Sequence, residues 1–270
     1  MKSQIHKFKK EIQKSICNKI ILYSIFAMLT SASFAQTEEE NRTKNFIGVM
    51  GGASFVYGNL SNTNYWKSDG AGGVIVDKAA GYSAKVGSNF GIEGAYYFSK
   101  YVGIGGAFSM TTVNVGNLQS MSSGYQYDFD VDTAIASSTT RYHFYNFFVG
   151  PYFSLPAKKF TFDLRILAGL TEAYNPEFDV NVIDGGKPHP FAQNVSHGAG
   201  FGMQTGLAVR YALAKHFGIK LSADYYYADP NINITYSNRV QQNTGRYLTN
   251  YHESVGMLNV NLGLFYQFGK

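Results

Sequence analysis

The chain has 270 residues, room for one sizeable domain; 16% are aromatic, 15% are charged, and 23 Lys+Arg stand against 18 Asp+Glu. The basic surplus belongs to the first 35 residues, where Lys2, Lys7, Lys9, Lys10, Lys14 and Lys19 meet a single acid, Glu11, and the remainder carries 17 of each sign. That neutral remainder gives no support to attraction of nucleic acid or acidic lipid, and with Cys17 inside the first 35 residues it holds no cysteine for a disulfide.

Residues 1–35 read as a signal peptide. The basic start precedes an apolar run, Ile20 to Leu29, that falls short of the ~20 residues of a spanning helix. Ser33-Phe34-Ala35 then offers the small residues a signal peptidase reads, so cleavage is expected before Gln36. Cys17 precedes the apolar run and lacks the small-residue context of a lipidation site. Beyond Gln36 no run of eighteen apolar residues occurs, which excludes spanning helices there.

Eight segments then alternate apolar and polar residues, the period of two that gives a strand one apolar and one polar face. They are Phe46–Tyr57, Lys85–Phe98, Tyr101–Met110, Arg141–Leu155, Phe160–Tyr174, Gly198–Leu213, Phe217–Tyr227 and Ser254–Phe268. In the last, Leu258, Val260, Leu262, Leu264, Tyr266 and Phe268 alternate with Asn259, Asn261, Gly263 and Gln267. Ser99-Lys100, Pro156–Lys159 and Ala214–His216 make short turns, whereas 59–84, 111–140, 175–197 and 228–253 are long connections. Tyr125–Asp132 and Asn231–Tyr236 keep alternating inside two of these, and read as extended hairpins.

Alternation suits a barrel with either face inside. Aromatics beside the short turns (Tyr96, Phe98, Phe153, Phe160, Tyr211, Phe217, Tyr266, Phe268) suit a bilayer interface on the apolar side. Glycines on the polar side (Gly103, Gly105, Gly150, Gly169, Gly200, Gly202, Gly206, Gly263) suit a narrow lumen filled by its larger neighbours. The predicted fold is all-β: an eight-stranded antiparallel up-and-down transmembrane barrel over 46–270, after a periplasmic segment at 36–45. Its short turns face the periplasm and its long loops the exterior. The expected location is the cell outer membrane.

In this topology, loop asymmetry and final strand Val260–Phe268, the chain resembles the small eight-stranded outer-membrane proteins. These are the OmpX type, the transmembrane part of the OmpA type, and the general outer membrane protein β-barrel domain family. Gly269-Lys270 follow the terminal aromatic, whereas such assembly signals commonly end on it. The resemblance implies an architecture and names no activity.

Six charges fall on the lumen face: Glu93, Asp163, Arg165, Arg210, Lys220 and Asp224. Buried charges must pair, since an unpaired one costs several kcal/mol, so they read as a neutral network that plugs the barrel. A narrow ion path through them is the transport alternative. His252 and Ser254 share the lipid-facing side of the last strand, a spacing compatible with a base and a nucleophile acting on a lipid ester, but with no acid on a matching face. They are expected to be rim residues, and a lipid-modifying enzyme is the second alternative. Asp128, Asp130 and Asp132 on one face of a hairpin read as a solvated, charge-protected edge in preference to a calcium cage. His189 and His197 lack zinc-ligand spacing, and no phosphate-cradling Gly-Lys-Ser/Thr motif occurs.

The expected protein is therefore non-enzymatic and monomeric, with no catalytic residues, metal or cofactor. It would serve envelope integrity or surface interaction through loops rich in Asn, Ser, Thr, Gly and Tyr, with Trp66 at one tip. Its expected partners are outer-membrane lipid and lipopolysaccharide, with a surface ligand or an envelope protein as a further partner, and no nucleic acid.

Overall fold

A sheet of two-faced strands has two open edges, and joining them into a ring removes both while enclosing one face. The computed structural model describes residues 43–57, 60, 65–68, 74–77, 83–128, 130–238, 248–252 and 254–269. The expected leader, the cleavage point before Gln36, residues 36–42, Arg239 and Glu253 lie outside these. The described residues form β1 (Asn45–Tyr57), β2 (Tyr65–Ser68), β3 (Val74–Asp77), β4 (Ser83–Tyr97), β5 (Val102–Gly116) and a helix α1 (Leu118–Asp128). Then follow β6 (Thr133–Ser137), β7 (Tyr142–Ala157), β8 (Phe160–Asn175), β9 (Phe178–Asp184), β10 (Lys187–Gln193), β11 (Ser196–Ala212), β12 (Phe217–Asn238), β13 (Leu248–His252) and β14 (Val255–Phe268).

Eight strands close antiparallel in the order β1-β4-β5-β7-β8-β11-β12-β14 and back to β1. A circuit across the ladders from Lys220 runs through Gly263, Met50, Gly91, Ser109, Asn146, Thr171 and Gly200. It returns to β12 at Pro230, ten residues beyond its start. That stagger belongs with a strand tilt of roughly 35–45°. The β4–β5, β7–β8 and β11–β12 hairpins turn within a few residues; in the tightest, Lys158 adopts φ 55° to reverse the chain.

The opposite rim carries more structure than the expected loops. β12 runs 22 residues, about twice the 9–11 of a membrane crossing. Its outer part pairs with β10, β10 with β9, and β9 with β6, while β13 pairs along its other edge. Asn231–Tyr236 is strand, as its alternation indicates.

Tyr125–Asp132 is not an extended hairpin: the chain is helical through Asp128 and then turns at Asp130, where φ is 50°. Tertiary packing overrides the local period here. Leu118 and Met121, three residues apart on one side of α1, meet Ala134, Ala136, Phe178, Val180 and Val182 in a second core, which Val115 joins to the lumen cluster. The same helix protects the free edge of β6, where the Ala136 N–H donates to Ser122 Oγ at 2.8 Å. Asp128, Asp130 and Asp132 consequently do not line one strand face.

Candidate functional site

Strand parity sends alternate residues into the lumen, where three layers stack above the short-turn rim. The lowest is aromatic. Phe46 lies edge-on to Tyr152 and Phe265 at centroid distances of 6.0 and 6.3 Å, and Tyr97 joins them in the same buried cluster. Such rings fit because facing positions are glycine: a Cβ on Gly105 would strike the Tyr152 ring. Thr43 Oγ1 donates to the Lys100 carbonyl at 2.7 Å, and the Tyr97 N–H donates to Asn45 Oδ1 at 2.7 Å, tying the start of β1 to the first turn.

The charges form the layer above, all six buried. Arg165 and Asp224 both lie opposite Gly206 on β11, one from each side, and a Cβ on Gly206 would collide with the Asp224 carboxylate. Arg165 grips Asp224 with two hydrogen bonds, Nε to Oδ1 at 2.8 Å and Nη2 to Oδ2 at 2.6 Å. Its Nη1 reaches across the lumen to Glu93, which also accepts from Lys220 Nζ. Arg210 holds Asp163 at 2.7 and 3.0 Å, and its guanidinium lies 4.1 Å from the centre of the Phe46 ring. Three cations and three anions thus neutralise one another, Glu93 being the residue that crosslinks opposite walls.

Hydroxyls and amides complete the network. Ser154 donates to Asp163 while bonding Tyr97, Ser222 Oγ donates to Asp224 at 3.1 Å, and Tyr152 OH points to Glu93 at 3.4 Å. Above lies a row in which Thr111 donates to Asn89 and Asn89 to Asn261, each at 3.0 Å. Tyr97, Tyr152, Ser154 and Phe46 are missing from the six charges read off the sequence. Their parity with Glu93, Gly150 and Met50 is the signal that finds them; the aromatics singled out in the sequence are the eight on the opposite, lipid-facing parity.

The outer face is the inverse of a soluble protein. Every barrel strand exposes large apolar side chains, among them Ile47, Phe90, Phe108, Phe147, Leu170, Phe201, Leu221 and Leu262. A monomer in water rarely shows a contiguous apolar patch above a few hundred Å², and this one encircles the barrel. From Phe217 to Tyr227 on β12 the band rises roughly 25 Å, ten residues at ~3.3 Å each along a tilted strand, the height of a barrel's lipid-facing belt. The structure is that of a small outer-membrane β-barrel.

No protein-family model matches the sequence, and no curated protein matches it. Solved structures with a similar chain path include Ail, the attachment invasion locus protein of Yersinia pestis, at 14% identity and a TM-score of 0.38, covering 84% of this chain and all of that one. OprG of Pseudomonas aeruginosa gives 13% identity and 0.38, covering 85% and 98%. The outer-membrane protease OmpT of Escherichia coli gives 8% and 0.41, covering 86% and 99%.

The belt is edged by rings at both ends. Below, Phe160 packs on Tyr211 at 4.8 Å and Phe217 on Tyr266 at 5.1 Å. Above stands a second girdle that the sequence reading did not single out, including Tyr57 against Tyr225 at 5.5 Å and Tyr145 against Tyr174 at 5.8 Å. His197 stacks on Tyr174 there, whereas His189 is exposed on β10 outside the barrel. His252 occupies β13 opposite Asn231, and Ser254 lies half-buried just before β14, so the two fall on either side of a strand boundary.

Proposed function

We propose that this barrel is a closed, non-enzymatic scaffold that anchors an outer sheet-and-helix cap, and that the cap carries its work in envelope integrity or surface contact. One observation carries the reading: Arg165, fully buried, spans the lumen between Asp224 on β12 and Glu93 on β4. With the aromatic layer beneath and the amide layer above, this supports a lumen filled by side chains in place of a water column. The apolar belt on all eight strands suits a barrel surrounded by lipid.

Planar-bilayer recording on the purified protein tests this. A scaffold leaves membrane resistance unchanged at moderate voltage. Discrete, reproducible conductance steps would contradict it and favour ion transport through the charged layer.

A further inference from the structure

The outer wall of β7, β8 and β11 changes character within two residues. Phe147, Leu170 and Phe201 share one register row at the top of the apolar belt, Leu170 being 67% exposed. The next outward-facing row holds Tyr145 and Glu172, and the row above it His143, Tyr174 and His197, directly opposite one another across the two ladders. The side chains are organised. Tyr174 stacks on His197 at 5.6 Å, Tyr145 meets Tyr174 edge-on, and Tyr174 OH donates to the Glu172 carboxylate at 2.7 Å. His143 Nδ1 shares a hydrogen bond with Thr112 Oγ1 at 3.1 Å, which fixes the imidazole with its other nitrogen unengaged by that bond.

An aromatic cluster of this kind, one stacked pair with a third ring edge-on to it, offers ring surface to C–H groups, and an adjacent carboxylate and imidazoles offer acceptors and donors to hydroxyls. That combination suits a sugar ring, apolar on its faces and polar at its edge. Height selects the kind of sugar: the cluster stands one to two rows above the hydrocarbon belt, where the first sugars of a membrane glycolipid lie. A plain phosphate would be poorly served, because Glu172 sits inside the cluster. Arg141, exposed two residues before His143 in sequence, is available to a phosphate carried on such a sugar.

We infer that the rim formed by His143, Tyr145, Glu172, Tyr174 and His197 binds the sugar headgroup of an outer-leaflet glycolipid, whose acyl chains lie along Phe147, Leu170 and Phe201. This rests on the surface role proposed above and gives it a ligand class.

The test is binding of fluorescently labelled rough lipopolysaccharide to the full protein in phosphatidylcholine nanodiscs. Glu172→Gln and His197→Ala, both at exposed positions, should each weaken binding about tenfold, the loss of one good polar contact. Phe55→Leu, on β1 diametrically across the ring, should leave binding unchanged. Phosphatidylglycerol should compete poorly. Unchanged binding in both rim variants, or competition by phosphatidylglycerol equal to that by unlabelled lipopolysaccharide, would overturn the inference. A barrel that remains non-conducting while binding no glycolipid would overturn this inference alone and leave the scaffold reading standing.

Discussion

Arg165 and Asp224 meet across the bare backbone of Gly206, joined by two hydrogen bonds of 2.8 and 2.6 Å with neither side chain exposed. The third strand's lack of a side chain is what lets the first and the second touch. Arg165→Ala would leave Asp224 without its cation and Glu93 with Lys220 alone, in a site with little water to solvate the freed carboxylate. The expected cost is about 3–5 kcal/mol of unfolding free energy, measured by urea titration in lipid vesicles. Lys187→Ala, on an exposed strand of the cap, should cost under about 1 kcal/mol. Equal midpoints would mean that the charged layer is open to water.

The cap should fail independently of the barrel. Phe178 is fully buried in the core beneath α1, which among the described residues meets the lumen cluster through one partly buried side chain, Val115. Phe178→Ala should cost the cap about 3–5 kcal/mol and expose the 117–138 segment to protease in intact vesicles. The heat-induced gel shift of the barrel should keep its midpoint. A matching fall in barrel stability would show that cap and barrel are one cooperative unit.

Much of this was legible from alternation. Leu258 to Phe268 declares which residues share a face, and the short turns declare which strands are neighbours, so the ring and its two faces follow. Which charge meets which does not follow from parity. Glu93 reaches Arg165 and Lys220 only because the sheet closes with a ten-residue stagger, a property of the whole circuit and of no local pattern. The cap was illegible for a different reason. Tyr125 to Asp132 alternates like a strand, yet burial of Met121 and Leu118 against β6 and β9 decides for a helix, and β9 belongs to a different connection, 175–197.

Orientation gives a third expectation. Asn181 is exposed on the cap and Lys215 in the β11–β12 turn, at opposite rims. In intact cells a membrane-impermeant maleimide should label Asn181→Cys, and should label Lys215→Cys only after the outer membrane is permeabilised. Labelling of Lys215→Cys alone would invert the topology.

The most direct measurement concerns what the apolar face touches. Leu262, midway along β14, and Leu213, in the β11–β12 turn, are almost equally exposed, at 63% and 60%. If both faced water, arginine would be tolerated equally at either. With hydrocarbon around β14, Leu262→Arg should lose about 2–4 kcal/mol of folding free energy in lipid vesicles, while Leu213→Arg at the rim should lose about 0–1 kcal/mol. Equal, negligible losses at the two positions would contradict the lipid-facing belt, and with it the reading of this chain as a membrane-embedded barrel.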